Sequence, residues 1–243
     1  MKKKLVVVSM ALAAVLAGAG CDGIEFVDPA ASATGTPAAQ VPADPGSVAK
    51  PSKSSIAQAR KTLSGMTIKT IPGKDPSYER DKFGDAWSDA AKGVTFAGNG
   101  CDTRNDILRR DAVKGTVRTK NGTEGCKVIA GTWVSPYNGV KYTSTKKVQI
   151  DHIVPLARAW ASGAKRWSAA RRLAFANDPD NLVAVDGSSN QSKSDKGPSV
   201  WRPAKAFQCV YAVRYIRSAT KYQLPITSAD KSALSSMLSD CPK

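Results

Sequence analysis

The single histidine of this 243-residue chain, His152, directly follows Asp151, and two asparagines, Asn181 and Asn190, lie further along. A histidine side chain has a pKa of about 6.5, so a neutral imidazole is available at neutral pH to accept a proton from water. Aspartate and asparagine both offer oxygen, the ligand atom that Mg²⁺ prefers, and Mg²⁺ keeps several waters, so two protein ligands suffice. A base beside such an ion can hydrolyse a phosphodiester. The four residues therefore predict a metal-dependent hydrolytic site.

The histidine is predicted to lie at the end of a strand. Val148 and Ile150 alternate with polar residues, a pattern typical of a strand that continues to Asp151 and His152. Neighbouring side chains on a strand point to opposite faces. A bend of the backbone at the strand end would allow both side chains to face one site.

The asparagines are predicted to follow on a second strand and a helix. Residues 182–185 form an apolar run that predicts a short strand, which Asn181 opens. We expect Ser188 or Ser189 to cap a short helix that carries Asn190 opposite the first strand. The predicted order is strand, long connection, strand and helix, which is a ββα arrangement.

Further helices and strands are predicted around this segment, which makes the fold class α+β. One helix is predicted to begin after a cap at Asp102 or Thr103. The other helices are predicted over 56–63, over 157–175 with a break at Gly163, over 205–220 and over 228–238. Strands are predicted over 126–134 and 140–150.

The sequence resembles the HNH endonucleases, also called ββα-metal or His-Me finger nucleases. The resemblance is carried by DHIVPL at 151–156, DNLV at 180–183, and Asn190 followed by KSD at 193–195. Over about 78–241 the chain also resembles small secreted HNH proteins of actinobacteria, which are related to the C-terminal domain of GmrSD restriction endonucleases. This wider resemblance is carried by FGDAW at 83–87, GCDTRND at 100–106, PYNG at 136–139 and WASGA at 160–164.

The resemblance implies a role for each site residue. His152 would be the general base that activates water, and Asp151 and Asn190 would hold the metal. Asn181 would orient the histidine and its loop, and Lys193 would lie beside a substrate phosphate. The oldest form of the motif ends in histidine; an amide oxygen at Asn190 favours Mg²⁺, or else Mn²⁺, over zinc. Attack by water would leave a 5′-phosphate and a 3′-hydroxyl.

Other basic residues are candidates for contact with phosphates. Arg104 and Arg109 lie on a predicted helix and could reach the substrate, or they could be ordinary surface charge. Lys193 could likewise be a solvated lysine. The basic pairs at 165–166 and 171–172 could line a groove for a nucleic-acid backbone, and we expect at most one of them to contribute strongly.

The charge of the chain predicts a polyanionic partner. The whole chain has a net charge of +16, and residues 1–50 carry four basic and four acidic residues, so the excess lies in residues 51–243. DNA, RNA, anionic lipid and acidic cell-wall polymer are all candidates. No base-reading module is recognisable, so a DNA endonuclease with little sequence preference is expected, with RNA open as a substrate. No protein partner can be inferred, and a monomer is expected.

Two other classes of protein compete with this interpretation. A non-catalytic binder of DNA or acidic cell-wall polymer, tethered at the cell surface, would explain the charge but not the spacing of the histidine and asparagines. A different hydrolase would need the same histidine, and the chain has neither a Gly-x-Ser-x-Gly nor a His-Glu-x-x-His motif.

The N-terminus predicts export. Three lysines at 2–4 precede a short apolar run over 5–16 and small residues before Cys21, so residues 1–20 are expected to be a signal peptide. Cys21 could be the lipidated cysteine of a surface lipoprotein, which would be the one link to a membrane; cleavage near residues 17–19 and full secretion is the alternative. Residues 21–55, rich in Ala, Pro, Ser, Thr and Gly, predict a flexible linker, and residues 56–243 the nuclease domain.

The remaining cysteines predict two disulfides in a single stapled domain. With Cys21 set aside, Cys101, Cys126, Cys209 and Cys241 allow three pairings, and an exported protein usually pairs its thiols. Their order favours Cys101–Cys126 and Cys209–Cys241. Each bond could add about 2–4 kcal/mol of stability.

Overall fold

Seven α-helices and six short strands form within residues 49–121 and 125–242, the part of the chain that this computed structural model describes. The helices are α1 Lys53–Gly65, α2 Thr103–Asp111, α3 Leu156–Ala161, α4 Ala169–Ala176, α5 Gly187–Lys193, α6 Lys205–Lys221 and α7 Ser228–Ser239. The strands are β1 Arg118–Thr119, β2 Val128–Ala130, β3 Trp133–Val134, β4 Lys141–Tyr142, β5 Val148–His152 and β6 Leu182–Asp186. The predicted signal peptide, Cys21 and most of the predicted linker lie outside the described residues.

The strands pair as three antiparallel ladders, β1 with β2, β3 with β4 and β5 with β6. In the longest ladder, Val148 lies opposite Asp186 and His152 lies opposite Leu182. The prediction of a mixed helix and strand domain is thus confirmed.

Strand β6 is buried on both faces, which explains its uninterrupted apolar run. Val183 and Val185 pack into the larger hydrophobic cluster, which also contains residues of α1, α6 and α7. Leu182 and Ala184 pack into a second cluster with residues of α2, β2, β3 and β5. Because side chains alternate along a strand, a strand between two apolar layers needs apolar residues at every position. The ladder that carries His152 is therefore held between both parts of the core.

Helix α5 begins earlier than predicted, because its cap is Asp186 and not Ser188 or Ser189. The Asp186 carboxylate accepts hydrogen bonds from the Ser189 backbone N–H at 2.8 Å and from the Ser188 hydroxyl at 2.7 Å. Strand β6 therefore passes directly into α5, with no turn between them. The predicted cap of α2 is confirmed at Asp102, which accepts from the backbone N–H of Asn105 at 2.9 Å.

Two long predicted elements are divided into shorter ones. The predicted strand over 140–150 is interrupted by a turn in which the Lys147 N–H donates to the Ser144 carbonyl at 3.0 Å. The predicted helix over 157–175 is divided into α3, a short 3-10 helix over Ala164–Arg166, and α4. The break comes at Gly163, as predicted, where φ is 125°, a value that side-chain-bearing residues rarely adopt.

Both favoured disulfides are present. Cys101–Cys126 joins the loop before α2 to the segment before β2, and Cys209–Cys241 joins α6 to the residues that follow α7. Among the described residues, no helix combines the length and apolar composition that crossing a membrane requires.

Candidate active site

The ladder of β5 and β6 and the helix α5 that packs against both strands bring the predicted site residues to one cavity. The cavity has a volume of about 900 Å³, and its walls include Asp151, His152 and Asn190. These elements follow one another along the chain as a strand, a long connection, a second strand and a helix. Asn181 and Lys193 are absent from the cavity wall, whereas Arg104 is part of it.

The His152 ring is held by a backbone carbonyl that determines which nitrogen is free. Nε2 of His152 lies 2.8 Å from the Ala176 carbonyl oxygen. A carbonyl only accepts hydrogen bonds, so Nε2 of the neutral ring carries the proton and Nδ1 keeps its lone pair. Burial lowers the pKa of His152 to about 3, with the charges of Arg80 and Lys193 acting in the same direction and the Ala176 bond opposing them. The imidazole is therefore neutral, and its Nδ1 is unprotonated.

Trp87 stacks on His152 and was not identified as a site residue from the sequence. The two rings are nearly parallel, with an interplanar angle of 13° and centroids 6.0 Å apart. Trp87 has a φ of 59°, a left-handed conformation that is rare for a bulky residue and that surrounding structure must stabilise. Its carbonyl accepts a hydrogen bond from the Thr103 N–H at 3.1 Å. The one signal in the sequence was the FGDAW stretch that contributes to the family resemblance.

Asp151 is held by two donors on one of its oxygens. The Tyr137 hydroxyl donates to Oδ2 at 2.6 Å, and Lys193 Nζ lies 2.8 Å from the same atom. Burial, followed by the charge of Asp151, raises the pKa of Tyr137 well above its ordinary value, so the phenol remains a donor. The other oxygen, Oδ1, accepts no hydrogen bond from the described residues. This arrangement fixes the carboxylate while leaving one oxygen open.

Lys193 is fully buried, which differs from the phosphate contact predicted from the sequence. Besides Asp151, its Nζ donates to the His152 carbonyl at 2.8 Å. A substrate phosphate could not reach this ammonium group without displacing the packing around it. Lys193 instead ties the C-terminal end of α5 to the strand that carries Asp151.

Asn190 lies on α5 with its amide oriented by a neighbour. Its Nδ2 donates to Gln149 Oε1 at 2.8 Å, while its Oδ1 has no hydrogen-bond partner among the described residues. Oδ1 of Asp151 is open in the same way, and both residues line one cavity. Two open oxygen donors fit a hard divalent ion that keeps several waters. No group of three or more His, Cys, Asp or Glu side chains suited to a metal occurs in 49–121 or 125–242.

Asn181 supports the loop after His152 and does not line the cavity. Its Oδ1 accepts from the Val154 N–H at 2.9 Å, its Nδ2 donates to the Val154 carbonyl at 3.2 Å, and its own carbonyl accepts from the Ile153 N–H at 2.8 Å. The side chain is fully buried. Through these bonds Asn181 holds the backbone of Ile153 and Val154, which directly follow His152.

The other basic residues proposed for phosphate contact are mostly used by the protein itself. Arg104 lines the cavity, but its Nη2 also donates to the carbonyls of Thr145 at 3.3 Å and Val148 at 3.2 Å. Arg109 donates to the Gly125 carbonyl at 2.7 Å. The basic pairs at 165–166 and 171–172 lie outside the cavity wall, and Lys165, Arg171 and Arg172 contact protein acceptors.

Comparisons with known proteins identify the family of this chain. The family model described as GmrSD restriction endonucleases, C-terminal domain, matches residues 102–237, a range that includes β5, β6 and α5. An uncharacterized secreted protein of Arthroderma benhamiae is 42% identical over 182 residues, which are 74% of this chain and 82% of that protein. No solved structure matches the chain significantly. The family match covers more than half of the chain and supports a nuclease-like function, and we conclude that the chain belongs to the family of GmrSD restriction endonuclease C-terminal domains.

Proposed function

We propose that this protein is an exported, metal-dependent endonuclease of the HNH type that hydrolyses phosphodiester bonds of DNA with little sequence preference. The observation that carries the proposal is one cavity in which a neutral histidine with a free Nδ1 stands beside two open oxygens, Asp151 Oδ1 and Asn190 Oδ1. The β5–β6–α5 unit would be the ββα-metal core, within a nuclease domain over 56–243 that follows a signal peptide over 1–20 and a linker over 21–55.

In the proposed reaction, His152 acts as the general base. A water oxygen bonds to phosphorus while the water proton passes to Nδ1 of His152. The bond between phosphorus and O3′ breaks with its electron pair on O3′, which takes a proton from solvent water. The products are a 5′-phosphate and a 3′-hydroxyl. Nε2 keeps its hydrogen bond to Ala176 throughout, so the ring changes protonation without changing position.

Asp151 and Asn190 would hold the divalent ion. A bound Mg²⁺, or Mn²⁺ in its place, supplies positive charge to the phosphoryl and leaving oxygens. Tyr137 and Lys193 keep Asp151 fixed through Oδ2, which leaves Oδ1 directed to the ligand site. Asn181 and Trp87 hold the backbone and the ring of the histidine. In this proposal Lys193 is a positioning residue and makes no phosphate contact.

The proposed substrate and the proposed export of the protein are supported by its charge, its disulfides and its secreted relative. The net charge of +16 favours a polyanion, and backbone contacts suit cleavage without sequence preference. Two disulfides and a relative described as secreted support export. A lipid anchor at Cys21 and free secretion are the two forms that export could take, and RNA is the second substrate to test.

The direct test is cleavage of supercoiled plasmid by the purified full chain with Mg²⁺, with EDTA, and with the His152→Ala variant. We expect metal-dependent nicking that EDTA abolishes and that His152→Ala reduces at least about 100-fold. Circular dichroism would verify that the variant is folded. End-labelling of the products should find 5′-phosphates. Intact plasmid with Mg²⁺, Mn²⁺, Ca²⁺ and Zn²⁺, in the presence of folded and oxidised protein, would contradict the proposal and favour a non-catalytic polyanion binder.

A further inference from the structure

A positively charged side chain that no sequence motif identified stands beside His152. Arg80 begins a short 3-10 helix, Arg80–Phe83, which precedes the segment matched by the family model. Arg80 lines the 900 Å³ cavity and also a second cavity of about 410 Å³. His152 and Trp87 line both cavities as well, so Arg80 and the histidine share the boundary between them.

The turn that carries Arg80 is anchored to the core. Phe83 is buried among Trp160 and Phe175, with ring centroids 6.1 Å and 6.2 Å away. The carbonyl of Lys82 accepts a hydrogen bond from Arg172 Nε at 2.6 Å. The Arg80 backbone therefore has a defined position, while its side chain is exposed in the cavity.

The guanidinium of Arg80 has no acceptor among the residues that the structure describes. Among the arginines of residues 49–121 and 125–242, the side chains of Arg80, Arg118 and Arg166 form no hydrogen bond or ion pair. Of these three, Arg80 alone lines the cavities. By contrast, Arg104 in the same wall already donates to two carbonyls. A free guanidinium offers a planar pair of N–H groups that matches two oxygens of a phosphate.

The charge of Arg80 acts on the catalytic region. Arg80 lines both cavities together with His152, so its guanidinium lies within electrostatic range of the His152 ring. In agreement with this, its charge adds to the burial that lowers the pKa of His152 and partly opposes the burial that raises the pKa of Tyr78. A substrate phosphate attacked by a water next to His152 would therefore come within the same range. Lys74 is the other cation of the wall that has no acceptor among the described residues, but it lines only the larger cavity, whereas Arg80 lines both cavities with His152.

We propose that Arg80 binds the non-bridging oxygens of the phosphodiester that is cleaved and stabilises the charge that accumulates on them. The inference rests on the proposed function. As water oxygen bonds to phosphorus and the bond to O3′ breaks, negative charge grows on the non-bridging oxygens. Arg80 donates two N–H hydrogen bonds to those oxygens and exchanges no proton; the water proton goes to His152. Removing one such donor typically lowers kcat by about 10²–10³.

The test compares Arg80→Ala and Arg80→Lys with Arg118→Ala, a matched control at another exposed and unpaired arginine. Each full-chain variant is assayed with Mg²⁺ on a fluorogenic DNA duplex, and kcat and KM are separated. We expect Arg80→Ala to lower kcat about 10²–10³-fold, and Arg80→Lys to recover part of the loss because lysine keeps the charge without the planar fork. Arg118→Ala should stay within about twofold of the wild type, and thermal melts should be alike for all variants.

The outcomes separate this inference from the proposed function. If the wild type cleaves and Arg80→Ala matches Arg118→Ala in kcat, the role of Arg80 is overturned and the nuclease stands. A raised KM with unchanged kcat also overturns it, because Arg80 would then attract DNA without acting on the scissile phosphate. If the wild type cleaves with none of the divalent ions, the proposed function fails and the role of Arg80 falls with it.

Discussion

Lys193 Nζ lies 2.8 Å from Asp151 Oδ2, and the lysine that makes this contact is fully buried. Lys193 ends α5, the helix that also carries Asn190, while Asp151 lies on β5. The ion pair therefore joins the two elements from which the two open oxygens of the site project. Lys193 also donates a hydrogen bond to the His152 carbonyl, so one side chain contacts both Asp151 and His152. The geometry of the site depends on this buried lysine.

Replacement of Lys193 by methionine should destabilise the fold and weaken the site. It would leave Asp151 without its cation, and breaking one side of a buried pair costs about 3–5 kcal/mol. Urea unfolding at pH 7 measures the loss. The control is Lys196→Met, at an exposed lysine three residues further along the chain. It should change the free energy of unfolding by less than about 0.5 kcal/mol. Unchanged stability with a raised KM would instead restore the phosphate contact predicted from the sequence.

Removal of the Asn181 side chain should loosen the loop after His152. Asn181→Ala would leave the buried N–H and carbonyl of Val154 without partners, at a cost of about 1–3 kcal/mol for each unsatisfied group. Hydrogen exchange followed by mass spectrometry should show faster exchange in peptides containing Ile153 and Val154. Peptides from α7 serve as the internal control. Equal exchange in both proteins would argue against an orienting role for Asn181.

The buried disulfide between Cys209 and Cys241 should contribute to the stability of the folded state. It connects α6 with the end of α7, two helices that pack in the larger hydrophobic cluster. Replacing both cysteines by serine should lower the free energy of unfolding by about 2–4 kcal/mol. A reductant should lower the melting temperature of the wild type further than that of this double variant. Identical melting temperatures with and without reductant would contradict the prediction.

Asp106 should contribute stability that is lost as pH rises from about 4 to 8. Burial raises the pKa of Asp106 to about 7, opposed by a hydrogen bond from Asn99 to its Oδ1 at 3.1 Å. Its other oxygen, Oδ2, is buried and has no partner. Between the ordinary pKa of 3.8 and about 7, the folded state keeps a proton that the unfolded state has lost. The stability contributed by Asp106 therefore falls as pH rises through this window, in total by about 4 kcal/mol. Burial of the neutral His152 acts in the opposite direction below the ordinary histidine pKa of 6.5, so the Asp106 contribution is read as a difference between variant and wild type.

The variant Asp106→Asn isolates this contribution, because asparagine cannot ionise but can still accept from Asn99. Urea unfolding at several pH values should show that the variant loses less stability than the wild type between pH 4 and 8. Asp85→Asn, at an exposed aspartate, should follow the wild-type curve. Parallel curves for Asp106→Asn and wild type would show that Asp106 is not protonated in the folded protein at pH 6.

Much of the local structure could be predicted because its causes lie within a few residues. Asp102 caps α2 through a backbone group three residues away, and the left-handed backbone of Gly163 interrupts a helical pattern at that position. The alternation of Val148 and Ile150 and the apolar run over 182–185 define two strands, and these strands pair with each other. The cysteine order favoured the two disulfides that form. The sequence patterns misplaced two boundaries. The start of α5 was predicted at Ser188 or Ser189 although Asp186 is the cap, and β4 and β5 were predicted as one strand although a turn separates them.

The sequence by itself determined which residue types could do chemistry, and therefore that His152, Asp151 and Asn190 are the candidates. Only the tertiary structure decided what holds them. Tyr137, which lies between β3 and β4, donates a hydrogen bond to Asp151. Trp87 stacks on a histidine 65 positions away, and Lys193 is buried beside Asp151. Periodicity reports the environment of a residue along its own element, whereas these contacts depend on how distant elements pack. From the sequence, a lysine such as Lys193 is expected to be exposed to solvent. It is buried here because the fold places the Asp151 carboxylate beside it.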